Sequence, residues 1–166
     1  KQQVIPTFKH FPGHGDTAED SHNGIAVSHK SKEEMEICEW RPYESLSIEN
    51  CVMVGHIAAP EITGDLTPAS MSYEIVTGIL RQQLSFEGVV LTDALGMGAI
   101  TNEYTSAEAA VNAIEAGCDI LLCPDDLRDS FEAVTESVEN GTISEERINE
   151  SVYRILRLKR MYGLIK

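Results

Sequence analysis

Four short, mainly apolar runs, at 4–8, 52–57, 89–92 and 120–123, constrain this chain more than any other feature. None alternates apolar with polar residues, so each reads as a strand covered on both faces, the pattern of a parallel sheet with helical crossovers. The intervening segments supply those crossovers. Ile75, Val76, Ile79, Leu80 and Leu84 fall on one helical stripe, and Glu87-Gly88 punctuates before the third run. Ala107, Ala110, Val111 and Ile114 predict a helix stopped by Gly117, and Leu127, Phe131, Val134 and Val138 repeat at helical spacing up to Gly141. A last helix begins at Ser144, a good N-cap, with Glu145 and Glu146 in its first turn and Lys159 and Arg160 near its end, the charge order that suits a helix dipole. The segment 31–48 has the weakest helical pattern.

Strict strand-helix alternation predicts an α/β fold of parallel βα units with right-handed connections. Four such units amount to half of a TIM (β/α)8-type barrel, so residues 1–166 are expected to be a single partial domain. Half a barrel leaves two open sheet edges, and the expected partner is either the missing half or a second copy of the chain.

Composition narrows the ligand. A net charge of −14, without a Lys/Arg cluster, excludes a phosphate-neutralising surface for nucleic acid or anionic membrane. No apolar run approaches the ~18 residues of a membrane span, and KQQVIPTF lacks a signal peptide's apolar core, which leaves the compartment open. Cys38, Cys51, Cys118 and Cys123 form no close CxxC pair and read as free thiols.

In parallel α/β architectures the reacting groups stand at the carboxyl ends of strands. Here the first run leads into KHFPGHGDTAEDSH, the second ends at His56, the third at Thr92-Asp93, and the fourth enters Pro124-Asp125-Asp126. Asp125 and Asp126 are as well explained as caps of the next helix. Asp93 is not: a lone carboxylate after four apolar residues is costly without partners, which favours a catalytic role. His10 and His14 are four apart, but Pro12, Gly13 and Gly15 oppose the helix that would aim both at one metal, and no metal is expected.

KHFPGHGDT followed by DSH, then GVVLTDALGMGAI, resembles the family 3 glycoside hydrolases, and in particular their bacterial β-N-acetylglucosaminidase branch. The likeness covers essentially the whole chain, as the C-terminal half of that family's barrel. It implies a retaining mechanism without cofactor, in which Asp93 is the nucleophile, His22 paired with Asp20 is the acid/base, and Lys9 and His10 bind sugar hydroxyls. Elementary chemistry agrees. Retaining hydrolysis usually takes two carboxyl groups, but an imidazole that titrates near neutrality can replace one, and Asp20 two residues earlier can stabilise the imidazolium. His14 and Asp16 read as organisers of the loop, His29 as a solvated residue, and His56, among small apolar neighbours, as a structural or supporting histidine. The implied substrate is an amino-sugar glycoside such as a peptidoglycan fragment. Two other readings stay open: phosphorolysis, because a neutral histidine does not repel phosphate as a carboxylate would, and a non-catalytic sugar-binding fragment.

Overall fold

The computed structural model describes residues 4–17 and 24–166. Four parallel strands, β1 (Thr7–Phe11), β3 (Cys51–Val54), β5 (Val89–Ala94) and β6 (Ile120–Leu122), lie in the order β1-β3-β5-β6. Each helical crossover returns the chain to the next strand along, as expected for successive βα units. Two strands absent from the sequence reading, β2 (Ala26–Val27) and β4 (Ile57–Ala58), pair in parallel as a small second sheet. At two residues each they are too short to leave a periodic signal.

All four expected strands differ in extent, the third running on to Ala94 and the fourth stopping at Leu122. The first begins at Thr7 rather than at residue 4 and runs on through Lys9 and His10 to the fully buried Phe11. Pro6 has no N–H to donate, so it enters the ladder only as an acceptor, from the Cys51 N–H at 2.9 Å. The second run splits at Gly55-His56. Gly55 still donates to the Phe11 carbonyl (2.8 Å), but Ile57 and Ala58 belong to the other sheet.

The helices cover both faces. Val52, Val54 and Val90 project into the main core with Ile75, Val76, Ile79 and Leu80 of a π-helix (Glu74–Gln83) and Ala109, Ala113 and Ala116 of α4 (Ser106–Ala116). The alternate residues Cys51 and Val89 meet Leu158 of α6 (Glu145–Met161), flanked by Ile5, Leu91 and Ile155. Between β1 and β3 the weakly patterned stretch forms only a six-residue helix, α1 (Lys32–Ile37), closed by a Ser31/Glu34 capping box. The apolar spacing of α5 (Leu127–Glu139) faces inward only in its second half: Val134 and Val138 are half-buried, but Leu127 and Phe131 are each 71% exposed, and the helix's fully buried residue is Ser130. Two further short helices, α2 (Pro60–Thr63) and α3 (Gly98–Thr101), lie in the loops beyond β4 and β5.

The amino end of the sheet is tied by one carboxylate. Asp119, just before β6, is fully buried at its side chain and accepts from Arg81 (2.6 Å), Arg154 (3.1 Å), Ser151 (2.7 Å) and the Val90 N–H (2.9 Å), with Arg147 at 3.8 Å. It thereby joins the π-helix, β5, β6 and α6. The sheet's two outer strands are β1, whose Thr7, Phe8 and Lys9 are exposed, and β6, whose Ile120 is 37% exposed. Among the described residues no helix is long and apolar enough to cross a membrane.

Candidate active site

The central β3/β5 pairing keeps its register from Cys51–Val89 to Val54–Thr92, whereas the two outer pairings become irregular toward their carboxyl ends. The β1/β3 register shifts between Phe8 and Phe11, around Lys9 and His10, and the β5/β6 register shifts between Leu91 and Ala94, around Thr92 and Asp93. Such irregularities re-aim side chains, and here they fall on the residues picked out by the sequence.

Two of those residues meet. His10 Nε2 lies 3.3 Å from Asp93 Oδ2, with the side chains 26% and 18% exposed. The exit of β3 lies between them in the sheet, and it is clear because residue 55 is glycine: a Cβ there would stand 3.1 Å from the His10 Cβ. Asp93 Oδ1 accepts from the Ala94 N–H at 2.8 Å. The partners that a charged group at this strand end requires are thus a histidine and a main-chain amide. Lys9 is exposed on the outer strand.

The loop after β1 is pinned from three sides. The His14 ring packs edge-on to His10 at 6.0 Å between centroids, and its Nδ1 is hydrogen-bonded to the Thr17 hydroxyl. Asp16 accepts from Ser28 Oγ at 2.8 Å. Gly13 has φ +142°, and a Cβ on it would fall 2.3 Å from Glu39 Cγ, so the loop rests directly on Glu39, which is itself paired with Lys30. Asp20 and His22 lie outside the described residues.

His56 is 1% exposed. Its Nε2 is 3.0 Å from the Ala94 carbonyl and its Nδ1 is 2.8 Å from Ser70 Oγ. Burial pushes its pKa below that of a free imidazole, against the opposing pull of the Ala94 carbonyl and Asp93. His29 is exposed. Asp126 caps α5, accepting from Arg128 N (2.9 Å) and Asp129 N (3.0 Å), while Asp125 is exposed beside it. Among the described residues no three His, Cys, Asp or Glu side chains are grouped to hold a metal ion. Sequence reasoning missed Gly55 and Ala94; the only signal for either was adjacency to an ionisable residue at a strand exit.

A parallel βα sheet with ionisable side chains converging at its carboxyl edge is the framework of a TIM-type barrel enzyme. Residues 1–158 match the family model described as the glycosyl hydrolase family 3 N terminal domain, and the chain belongs to that family. It is 31% identical to β-hexosaminidase A of Pseudoalteromonas piscicida, over 94% of this chain and 30% of that protein. A solved family 3 β-N-acetylglucosaminidase from Paenibacillus sp. str. FPU-7 is 39% identical with a TM-score of 0.90, over 97% of this chain and 32% of that one. The β-glucoside phosphorylase BglX is 32% identical with a TM-score of 0.89, over 97% and 31%. The chain therefore spans about a third of the length of these relatives.

Proposed function

We propose that this chain carries the reacting groups of a retaining exo-β-N-acetylglucosaminidase acting on amino-sugar glycosides such as peptidoglycan fragments. The observation that carries the reading is the Asp93 carboxylate, held at the carboxyl end of β5 by the Ala94 amide with His10 beside it. In the first step Asp93 attacks the anomeric carbon and the departing oxygen takes a proton from the His22 imidazolium, which Asp20 stabilises. The sugar is then an ester of Asp93. In the second step neutral His22 removes a proton from water, the resulting oxygen attacks the anomeric carbon, and the carboxylate leaves. Lys9 and His10 bind sugar hydroxyls. The names of the relatives support the substrate class.

A second reading is favoured by the likeness to the phosphorylase. Phosphate replaces water in the second step, and a neutral imidazole base admits it where a carboxylate would repel it. In both readings residues 1–166 are the C-terminal half of the barrel, and the open edges at β1 and β6 receive strands from the N-terminal half or from a second copy. A non-catalytic sugar-binding role is the outcome if binding persists without turnover.

The test uses the full-length protein. Asp93→Ala abolishes nearly all turnover of an aryl N-acetylglucosaminide while sugar binding survives. Retention of a tenth of wild-type kcat, a barrier change of only about 1.4 kcal/mol, would sink the assignment. Mass spectrometry of enzyme quenched during turnover finds the sugar on the peptide containing Asp93, and product analysis in water and in phosphate buffer separates hydrolysis from phosphorolysis.

A further inference from the structure

The hydrogen bonds of His56 determine where its proton sits. The Ala94 carbonyl can only accept, so Nε2, 3.0 Å away, must be the protonated nitrogen. In the neutral ring Nδ1 then carries a lone pair and accepts from the Ser70 hydroxyl at 2.8 Å. Ser70 is itself fully buried in a short 3-10 turn (Ala69–Met71), where its carbonyl accepts from the Cys118 thiol at 3.5 Å. The ring therefore has both nitrogens engaged and no room to turn.

The carbonyl it holds belongs to the residue after Asp93. The same Ala94 also receives the Met97 N–H at 3.1 Å on its oxygen and gives its own N–H to Asp93 Oδ1 at 2.8 Å. The Ser70 hydroxyl and the His56 imidazole thus hold the carbonyl on one side of the Ala94 Cα, and the N–H on its other side reaches the carboxylate. At the carboxyl end of β5 the register with β6 shifts between Leu91 and Ala94, and pairing resumes at Ala94–Leu122 with the Leu95 N–H donating to the Leu122 carbonyl at 2.8 Å, so His56 adds a side-chain clamp to the residue at which the ladder restarts.

We propose that His56 is a positioning residue for Asp93: as the Nε2–H tautomer it clamps the Ala94 carbonyl, and through that residue's amide it sets the angle at which the carboxylate meets the anomeric carbon. This rests on the reading of Asp93 as the nucleophile. His56 itself touches no reacting atom. Its effect therefore falls on the covalent step and spares substrate binding, because an attacking atom misplaced by a fraction of an ångström loses rate without losing ground-state contacts.

Glutamine and asparagine at position 56 separate this role from simple packing. The amide nitrogen of glutamine reaches the place of Nε2, while that of asparagine stops near the place of Nδ1. In the full-length protein His56→Asn is expected to lower kcat by about 10- to 100-fold with KM within about twofold, and His56→Gln to recover most of the loss. Histidine-selective 15N labelling is expected to place the His56 proton on Nε2, the His56 signal being the one lost in His56→Gln. Ser70→Ala removes only one hydroxyl, so it keeps the test open if His56→Asn does not fold. It is expected to lower kcat a few-fold at constant KM, by freeing one side of the ring, while the proton stays on Nε2, where the Ala94 carbonyl still holds it. A proton on Nδ1 in the wild type would overturn the proposal. So would equal kcat in the folded Gln and Asn variants, or a rise in KM that accounts for the whole loss. Activity retained by Asp93→Ala would instead remove the reading beneath it, while the tautomer measurement would still report on the clamp.

Discussion

His10 Nε2 stands 3.3 Å from Asp93 Oδ2, joining the ends of two strands that are not neighbours in the sheet. The intervening strand β3 yields the space at Gly55, so a contact between β1 and β5 depends on a residue of β3 that makes no polar side-chain contribution.

His10→Ala is therefore expected to lower kcat/KM at least about 10-fold, a loss of about 1.4 kcal/mol of transition-state binding. Gly55→Ala is expected to act in the same direction by pressing on the His10 Cβ. Steady-state kinetics on the full-length protein checks both, and a Gly55→Ala variant with unchanged kcat/KM would contradict the role given to the gap.

Asp119→Ala leaves three guanidinium groups around a buried vacancy and removes the acceptor for Val90 N–H and Ser151. Breaking a buried ion pair from one side costs about 3–5 kcal/mol. Chemical denaturation is expected to show a lower midpoint at unchanged slope, and a shift worth under about 1 kcal/mol would mean that the cluster is screened like a surface pair.

His56 links stability to pH. Its folded-state pKa lies below the free-imidazole value of 6.5 because burial disfavours the charged ring. At pH above 6.5 the ring is neutral in both states and the linkage costs nothing. As pH falls below 6.5 the unfolded chain takes up a proton that the folded chain refuses, so stability declines until the folded-state pKa is passed. His56→Gln is expected to flatten this limb in urea melts between about pH 7 and pH 5; an unaltered limb would place the linkage on another group.

Thiol reactivity follows burial. Cys38 and Cys123 are exposed, whereas Cys51 and Cys118 are buried, with the Cys118 thiol pushed up to about 12 by desolvation. Iodoacetamide at neutral pH is expected to label the first two in the folded protein and to reach the other two only on unfolding, as read by peptide mass spectrometry. Early labelling of Cys118 would show that the core beside Ser70 opens locally.

The strands and the position of Asp93 were legible because burial on both faces leaves unbroken apolar runs and makes a charge at the end of one conspicuous. What escaped had no such period. The pairing of β2 with β4 involves two residues on each side. The exposure of Leu127 and Phe131 depends on which side of α5 meets α4, and spacing alone cannot tell one apolar stripe's destination. Asp119 is also an acid against an apolar run, but it precedes its run where Asp93 follows one, so nothing at the strand exits pointed to it, and its three arginine partners come from residues 81, 147 and 154, far off in sequence. His56 was recognisable as buried, but its acceptor is fixed by a peptide brought alongside from β5.

The Asp119 cluster and the Asp93 carboxylate occupy opposite rims of one sheet, and that separation divides what can be altered. The rim with the arginines holds the strands, the π-helix and α6 in mutual register, so the loops on the other rim are free to lengthen, shorten or exchange side chains without the scaffold losing its fastening. A laboratory seeking a new sugar specificity would recombine residues around β1 and β5, and one seeking heat resistance would work around Asp119. Gains from the two campaigns should then combine additively in one polypeptide, because the sites share no contact.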